Sequence, residues 1–597
     1  MRGNSGCAWF GIDGLDALGF TLFPLAPIRP HFFCQCLTAW QGPSGAGKSS
    51  LLDALADRVK LPVTGGVTVD GVPKDELSFK RVAKYVQQQD TLAAALSTRE
   101  TLLYYSRLCC PWDEAEARSR ADSALELLGL RDQANTYIGG ALFRGLSGGQ
   151  KRRVSVGVQL VFQPRVLFLD EPTSGLDSAA AHHVVTGLQK VAKQVGTTTI
   201  LTIHQPSEKV YGLADGLLLL SSGRMAYFGR ADAAVDHFRS ISGGDVPPLT
   251  SGAEWMLDLV DTSFQEHESV EKVLKAWPES EKARELDGYL STGAGDELDE
   301  ALEESARRGF QAGLLDLLTK GSAGDVGLLW QVVVLTRLTF VNVMRNPAYM
   351  WLRYAMYIAL SVMIGTVWLD IGSSADDIID VVNVLFFIAA FMVFMSISVL
   401  PAYLDDRNIF TKDRANGAYG TLSFLLAQSI VSQPFLFLMS IICSSITYWL
   451  IGLNSNVGNF FFFVWNLYIS FAVAEAIMLL IASVVPFFVV GIAVGAFLFG
   501  TFMVVQGFFI QLDKIGWWWR WLHWVAMHSY SFASFMVNEF AGSTWSCPSE
   551  TEQASEGLSF CQPGQSSVSG KQVLEFYQID PGKLPRVRAL SERAIFF

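Results

Sequence analysis

Gly42-Pro43-Ser44-Gly45-Ala46-Gly47-Lys48-Ser49 is the stretch on which the reading of this chain turns. A triphosphate concentrates negative charge, so a site for it needs many donors in a small volume. Glycines at 42, 45 and 47 let the backbone turn its N–H groups inward, at the positive end of the helix that must follow. Lys48 is placed for the β- and γ-phosphates and the Ser49 hydroxyl for Mg2+, so these eight residues and Ser50 are the candidate nucleotide contacts. A short strand is expected to lead into the loop from Gln35 to Gln41. Downstream, the apolar run Val166-Leu167-Phe168-Leu169 delivers Asp170 and Glu171 to a strand end. There Asp170 can hold Mg2+ through water and Glu171 can polarise an attacking water. The competing reading, an ordinary buried strand ending in two acids, loses weight in the company of the loop. Residues 40–262 alternate apolar runs with helical patterns, which predicts an α/β layered domain.

Past residue 345 the chain changes character. Between Arg414 and Asp513 the only charged residue is Glu475. Apolar stretches at about 349–369, 381–403, 421–450, 459–483 and 485–510 are each long enough to cross roughly 30 Å of hydrocarbon. An amphipathic stretch, Trp330–Arg345, precedes them, and Pro434 predicts a kink in the third span. Arg345 and Arg353 head the first span, and Arg407, Lys412 and Arg414 lie between the second and third. The loop after the first span holds Asp370, Asp376, Asp377 and Asp380 without Lys or Arg, so the basic side, with the nucleotide domain, is expected in the cytosol.

With 597 residues, several domains are expected. Half the residues are hydrophobic, 17% are charged and the mean hydropathy is +0.29, unusual for a soluble chain. A net charge of −12 argues against a nucleic-acid partner, which requires a basic surface. Cysteines 109, 110 and 443 lack metal-ligand spacing. Cys547 and Cys561 lie in a polar segment beyond the last clear span and form a disulfide if that segment faces an oxidising compartment. The alternative is two free surface thiols. Glu475, a charge at membrane depth, calls for an internal structural or coupling partner, with substrate contact as the competing role.

Residues Arg144 to Arg153, around Leu146-Ser147-Gly148-Gly149-Gln150, resemble the signature motif of ATP-binding-cassette (ABC) proteins. The resemblance implies an ABC-type phosphate-loop domain followed by an all-α polytopic membrane domain. It assigns Ser147, Gly148, Gly149 and Gln150 to the γ-phosphate held by an opposite subunit. It makes Gln88, in Tyr85-Val86-Gln87-Gln88-Gln89-Asp90, the glutamine that contacts Mg2+ and the membrane domain, with Gln87 or Gln89 in that role if the register slips. Ser174–Ser178, with Asp177, resembles the D-loop across a dimer interface, and His204 resembles the switch histidine that senses the γ-phosphate.

Three features are similar to the G-type, or white-type, half-transporters over about residues 37 to 580. The nucleotide domain comes first, His204 sits in Thr202-Ile203-His204-Gln205-Pro206-Ser207, and Trp517–Phe540 resembles a re-entrant aromatic hairpin before an outer loop. The implied organisation is a divergent segment at 1–36, a nucleotide domain at 37–262, a charged linker at 263–328 and a membrane domain at 329–597. In the last, the hairpin takes 513–540 and the outer loop 541–570. Matching spans to the family places Phe394, Phe499 and Met503 on an apolar slit between two subunits and Phe508 and Phe509 at its plug; packing or lipid-facing roles compete at each position. The implied activity is ATP-dependent export, with Mg2+, by a dimer of this chain or of this chain with a related half-transporter. The implied cargo is lipid, sterol or another hydrophobic or amphipathic molecule, across the plasma membrane or an internal membrane. The chain departs from the family in residues 1–36 and in the absence of an apolar run after Asp580, which leaves five spans. On that ground a non-transporting subunit that regulates a complete partner is the alternative.

Overall fold

The computed structural model describes residues 10–13, 36–59, 66–69, 72–73, 76–140, 144–248, 250–262, 267–280, 283–284, 326–347, 350–547, 560–561 and 565–580. Residues 285–325 of the charged linker and the segment after 580 lie outside the described residues. The chain divides into two units, residues 1–338 with 409–426, and residues 339–408 with 427–597.

The first unit is built on a six-stranded sheet in the order β5-β6-β7-β2-β8-β9. Its strands are β2 (Leu37–Gln41), β5 (Ala83–Val86), β6 (Val166–Leu169), β7 (Thr198–Thr202), β8 (Gly216–Ser221) and β9 (Arg224–Arg230). All neighbours are parallel except β8 and β9. The sequence explains this arrangement. Val166, Leu167, Phe168 and Leu169 are each fully buried, as a strand covered on both faces must be. A separate antiparallel sheet joins β1 (Phe10–Asp13), β3 (Gly66–Val69) and β4 (Val72–Pro73), so the divergent N-terminal segment supplies at least one strand.

The second unit is helical. Among the described residues, five helices are long and apolar enough to cross a membrane: Leu328–Arg345, Ala375–Ala415, Thr421–Ile451, Val457–Val484 and Phe488–Val505. Residues 328–338 of the first, 409–415 of the second and 421–426 of the third belong to the nucleotide unit. The expected first span is the 17-residue helix Trp351–Val367, shorter than those five. The expected second span is extended in both directions, with a π segment at Ile388–Met392 and a 3-10 segment at Met395–Val399. Thr421–Ile451 runs as one helix through Pro434. Large apolar side chains such as Phe461, Leu480 and Phe497 are exposed on this unit, as lipid contact requires.

Arg353 is a buried residue inside the helix Trp351–Val367, not a charge ahead of it: its Nη1 donates to Glu475 Oε2 at 2.7 Å. The hairpin consists of two helices, Trp517–Val525 and Met527–Phe540. Beyond it, β10 (Thr544–Ser546) pairs with β11 (Ser567–Ser569), and Cys547 is disulfide-bonded to Cys561.

Candidate nucleotide site

The phosphate loop joins the end of β2 to the helix Lys48–Leu55. Gly42 has no alternative there, because an added Cβ would come within 2.3 Å of the Leu220 carbonyl oxygen. Gly47 caps the helix with φ +93°, a conformation other residues resist. The ammonium of Lys48 is buried and donates to the carbonyls of Gly42 at 2.6 Å and Pro43 at 2.9 Å. Burial lowers its pKa, opposed by the nearby charges of Glu171 and Asp170.

The strand end of β6 meets the loop from the other side. Ser49 Oγ donates to Asp170 Oδ1 at 2.9 Å, which brings together two hard oxygen groups of the kind Mg2+ accepts. Thr202, the last residue of β7, donates to the same Asp170 oxygen at 2.9 Å and accepts from Glu171 N at 2.7 Å. Glu171 is held at φ +43°, an unfavourable region for a non-glycine residue, and Thr202 anchors its N–H there. Gln88 Nε2 donates to Glu171 Oε2 at 2.7 Å. His204 Nε2 lies 3.0 Å from Ser44 Oγ. These residues come from four separate segments, and the parallel sheet puts their strand ends on one edge.

Ser147 and Gln150 form a capping box at the start of the helix Gly148–Leu160, with Ser147 N donating to Gln150 Oε1 at 2.9 Å. Ser147 and Gly148 are exposed. Asp177 Oδ1 accepts from Ala180 N at 2.6 Å, so its side chain caps the helix Ser178–Lys190. Two contributors were missed in the sequence. Thr202 carried no signal beyond its place before His204. Arg152 is buried, and its guanidinium donates to Gln87 O at 2.6 Å and to Gln88 O. Its only signal in the sequence was its place within Arg144–Arg153.

In the membrane unit, Phe499 is fully buried with its ring centroid 5.9 Å from that of His528. Phe394, Met503 and Phe508 are half-buried and Phe509 is exposed. Phe508 stacks on Phe386 with centroids 4.2 Å apart.

A phosphate loop, an acidic strand end and a capped signature helix, fused to membrane-length helices, define an ATP-binding cassette whose ATPase activity is coupled to transport. Residues 31–174 match the ABC transporter family and residues 331–540 the ABC-2 type transporter family. ABC transporter G family member 11 of Arabidopsis thaliana is 36% identical over 563 residues, covering 91% of this chain and 77% of that protein. ABC transporter G family member 1 of Petunia hybrida is 35% identical over 520 residues, 85% of this chain and 79% of that protein. G family member 22 of Dictyostelium discoideum is 33% identical over 523 residues, 86% and 82% respectively. Among solved structures, cbiO1 from Clostridium perfringens, part of the ABC transporter complex cbiONQ, matches 40% of this chain and 94% of that chain at 24% identity, with a TM-score of 0.35. The chain is a membrane protein and belongs to the ABC transporter G family.

Proposed function

We propose that this chain is an exporter of lipids, sterols or other amphipathic small molecules that works as a dimer, with its nucleotide domain in the cytosol. The observation that carries the dimer is the exposure of Ser147 and Gly148 at a helix start. Backbone donors at such a position suit a phosphate, and in this reading they meet the nucleotide bound by Lys48 of a second copy or a related half-transporter.

Ser49, Asp170 and Gln88 would hold Mg2+, which when bound neutralises charge on the phosphates. The chain's own residues do the rest. Lys48 binds the β- and γ-phosphates. Glu171 takes the proton from the attacking water as its oxygen bonds to the γ-phosphorus and the bond to the bridging oxygen breaks. Gln88 aims the Glu171 carboxylate, and His204 with Ser44 holds the outer phosphate. In this reading Phe394, Met503, Phe508 and Phe509 line the cargo slit, with Phe499 packed behind it. Apolar walls of this kind discriminate between ligands by only about 1–3 kcal/mol per methylene, which suits a class of cargo rather than one molecule.

The experiment is ATP hydrolysis by the purified chain in lipid nanodiscs beside Glu171→Gln, with and without sterol. Hydrolysis that is lost in Glu171→Gln and stimulated by sterol supports the reading. A dimeric, folded wild-type chain without Glu171-dependent hydrolysis overturns it.

A further inference from the structure

Asn416 follows the helix Leu400–Ala415, in the connecting segment 409–426 that folds with the nucleotide unit. Its buried side chain bonds in both directions to a single residue of the sheet. Tyr85 N donates to Asn416 Oδ1 at 3.1 Å, and Asn416 Nδ2 donates to Tyr85 O at 3.0 Å. Tyr85 lies on the edge strand β5, whose inner side is taken by β6, where Asp170 N donates to Val86 O at 3.0 Å. The amide therefore fills the place that one residue of a further strand would take on the free edge.

The same Oδ1 accepts from Arg58 Nη2. Arg58 closes the turn after the phosphate-loop helix, and its guanidinium lies 4.6 Å above the Tyr85 ring. The Asn416 carbonyl in turn accepts from Lys84 Nζ at 2.7 Å. Nearby, Asp413 Oδ2 accepts from Tyr105 Oη at 2.7 Å and Tyr419 Oη at 3.0 Å, which fixes the segment on either side of Asn416. One amide thus ties the end of the helix that starts at Lys48 and Ser49 to the strand that leads, three residues later, to Gln88.

We propose that Asn416 is a positioning residue for hydrolysis: it holds the phosphate-loop helix and the Gln88 strand in one register, so that Gln88 stays aimed at Glu171. The proposal rests on the ATP-hydrolysing reading above. An amide is the group this place requires. Aspartate keeps the bonds from Tyr85 N and Arg58 but sets a carboxylate oxygen against Tyr85 O. Leucine, of similar size, leaves all three groups unpaired.

The test is steady-state hydrolysis by the full chain in nanodiscs, with amide hydrogen exchange read on the peptide around Tyr85. Asn416→Leu is expected to lower kcat by about tenfold with the KM for ATP held within about twofold, and to raise exchange at Tyr85. Asn416→Asp is expected to fall between it and the wild type. The control Ser423→Ala, which removes a 2.7 Å bond to Gln331 from the same segment, stays within about twofold. Where Asn416→Leu fails to fold, the aspartate variant decides by the same criteria. A kcat unchanged in either folded Asn416 variant, or one that falls equally in Ser423→Ala, overturns the proposal while leaving the hydrolysis reading intact. A wild type without Glu171-dependent hydrolysis overturns both.

Discussion

Ser44 Oγ and His204 Nε2 stand 3.0 Å apart, although 160 residues separate them in sequence. The contact joins the middle of the phosphate loop to the end of β7, so the histidine is seated against the loop that wraps the phosphates. In the proposed mechanism, removing it takes away an oriented group near the γ-phosphate while the loop's backbone donors and Lys48 remain. His204→Ala is therefore expected to lower kcat by about 10- to 100-fold, the worth of a hydrogen bond to a charged group, with ATP affinity nearly unchanged. Ser44→Ala is expected to lose less, because it frees the ring without removing it. Steady-state kinetics with nucleotide-binding measurements check both.

Thr202 supports two acidic residues at once, through Asp170 Oδ1 at 2.9 Å and Glu171 N at 2.7 Å. Valine has the same shape and neither bond. Thr202→Val is expected to lower kcat by about tenfold, from loss of the bond to the Asp170 carboxylate and of the bond that holds Glu171 N. A kcat equal to wild type would mean that the backbone at Glu171 holds its place unaided.

Much of the nucleotide domain could be read in advance because its signals are local. The apolar run Val166–Leu169 marked a strand ending in two acids, and glycines 42, 45 and 47 marked a phosphate-binding turn. What escaped were the tertiary contacts that no motif names. Arg152 meets Gln87, and Asn416 meets Tyr85, across separations that no periodicity reports. Glu475 announced that it needed a partner, since a charge at that depth is costly alone, but not which one. Hydropathy located four of the five candidate helices, set Leu328–Arg345 apart as an amphipathic stretch, and missed the π and 3-10 segments near Ile388 and Met395, because apolar content does not reveal hydrogen-bond register.

The Arg353–Glu475 pair is 2.7 Å apart, with each side chain only 6% exposed. Removing one partner strands the other charge in the interior. Glu475→Leu or Arg353→Met alone is expected to cost about 3–5 kcal/mol, seen as a lower melting temperature in detergent and less folded protein. The double variant is expected to recover much of that loss, because two apolar side chains leave no charge behind. A double variant worse than either single one would show that the ion pair contributes net stability.

Lys84 supplies a pH test of the nucleotide unit. Burial pushes its pKa down from the ordinary 10.5 to about 8, with Cys109 opposing the shift and Arg58 adding to it. Its Nζ donates to Lys80 O and Asn416 O, both at 2.7 Å, and a neutral amine retains two N–H groups for those two carbonyls. Below pH 8 both folded and unfolded chains carry the proton, and the folded chain bears the cost of a buried charge. Between about 8 and 10.5 the unfolded chain binds the proton and the folded chain does not, so this group makes stability rise with pH across that window, by about 3 kcal/mol in all. Lys84→Met removes the titration. The wild-type melting temperature, measured against that of Lys84→Met, is therefore expected to climb from pH 8 towards pH 10. A difference that stays constant over the range would mean that Lys84 keeps its ordinary pKa in the folded protein.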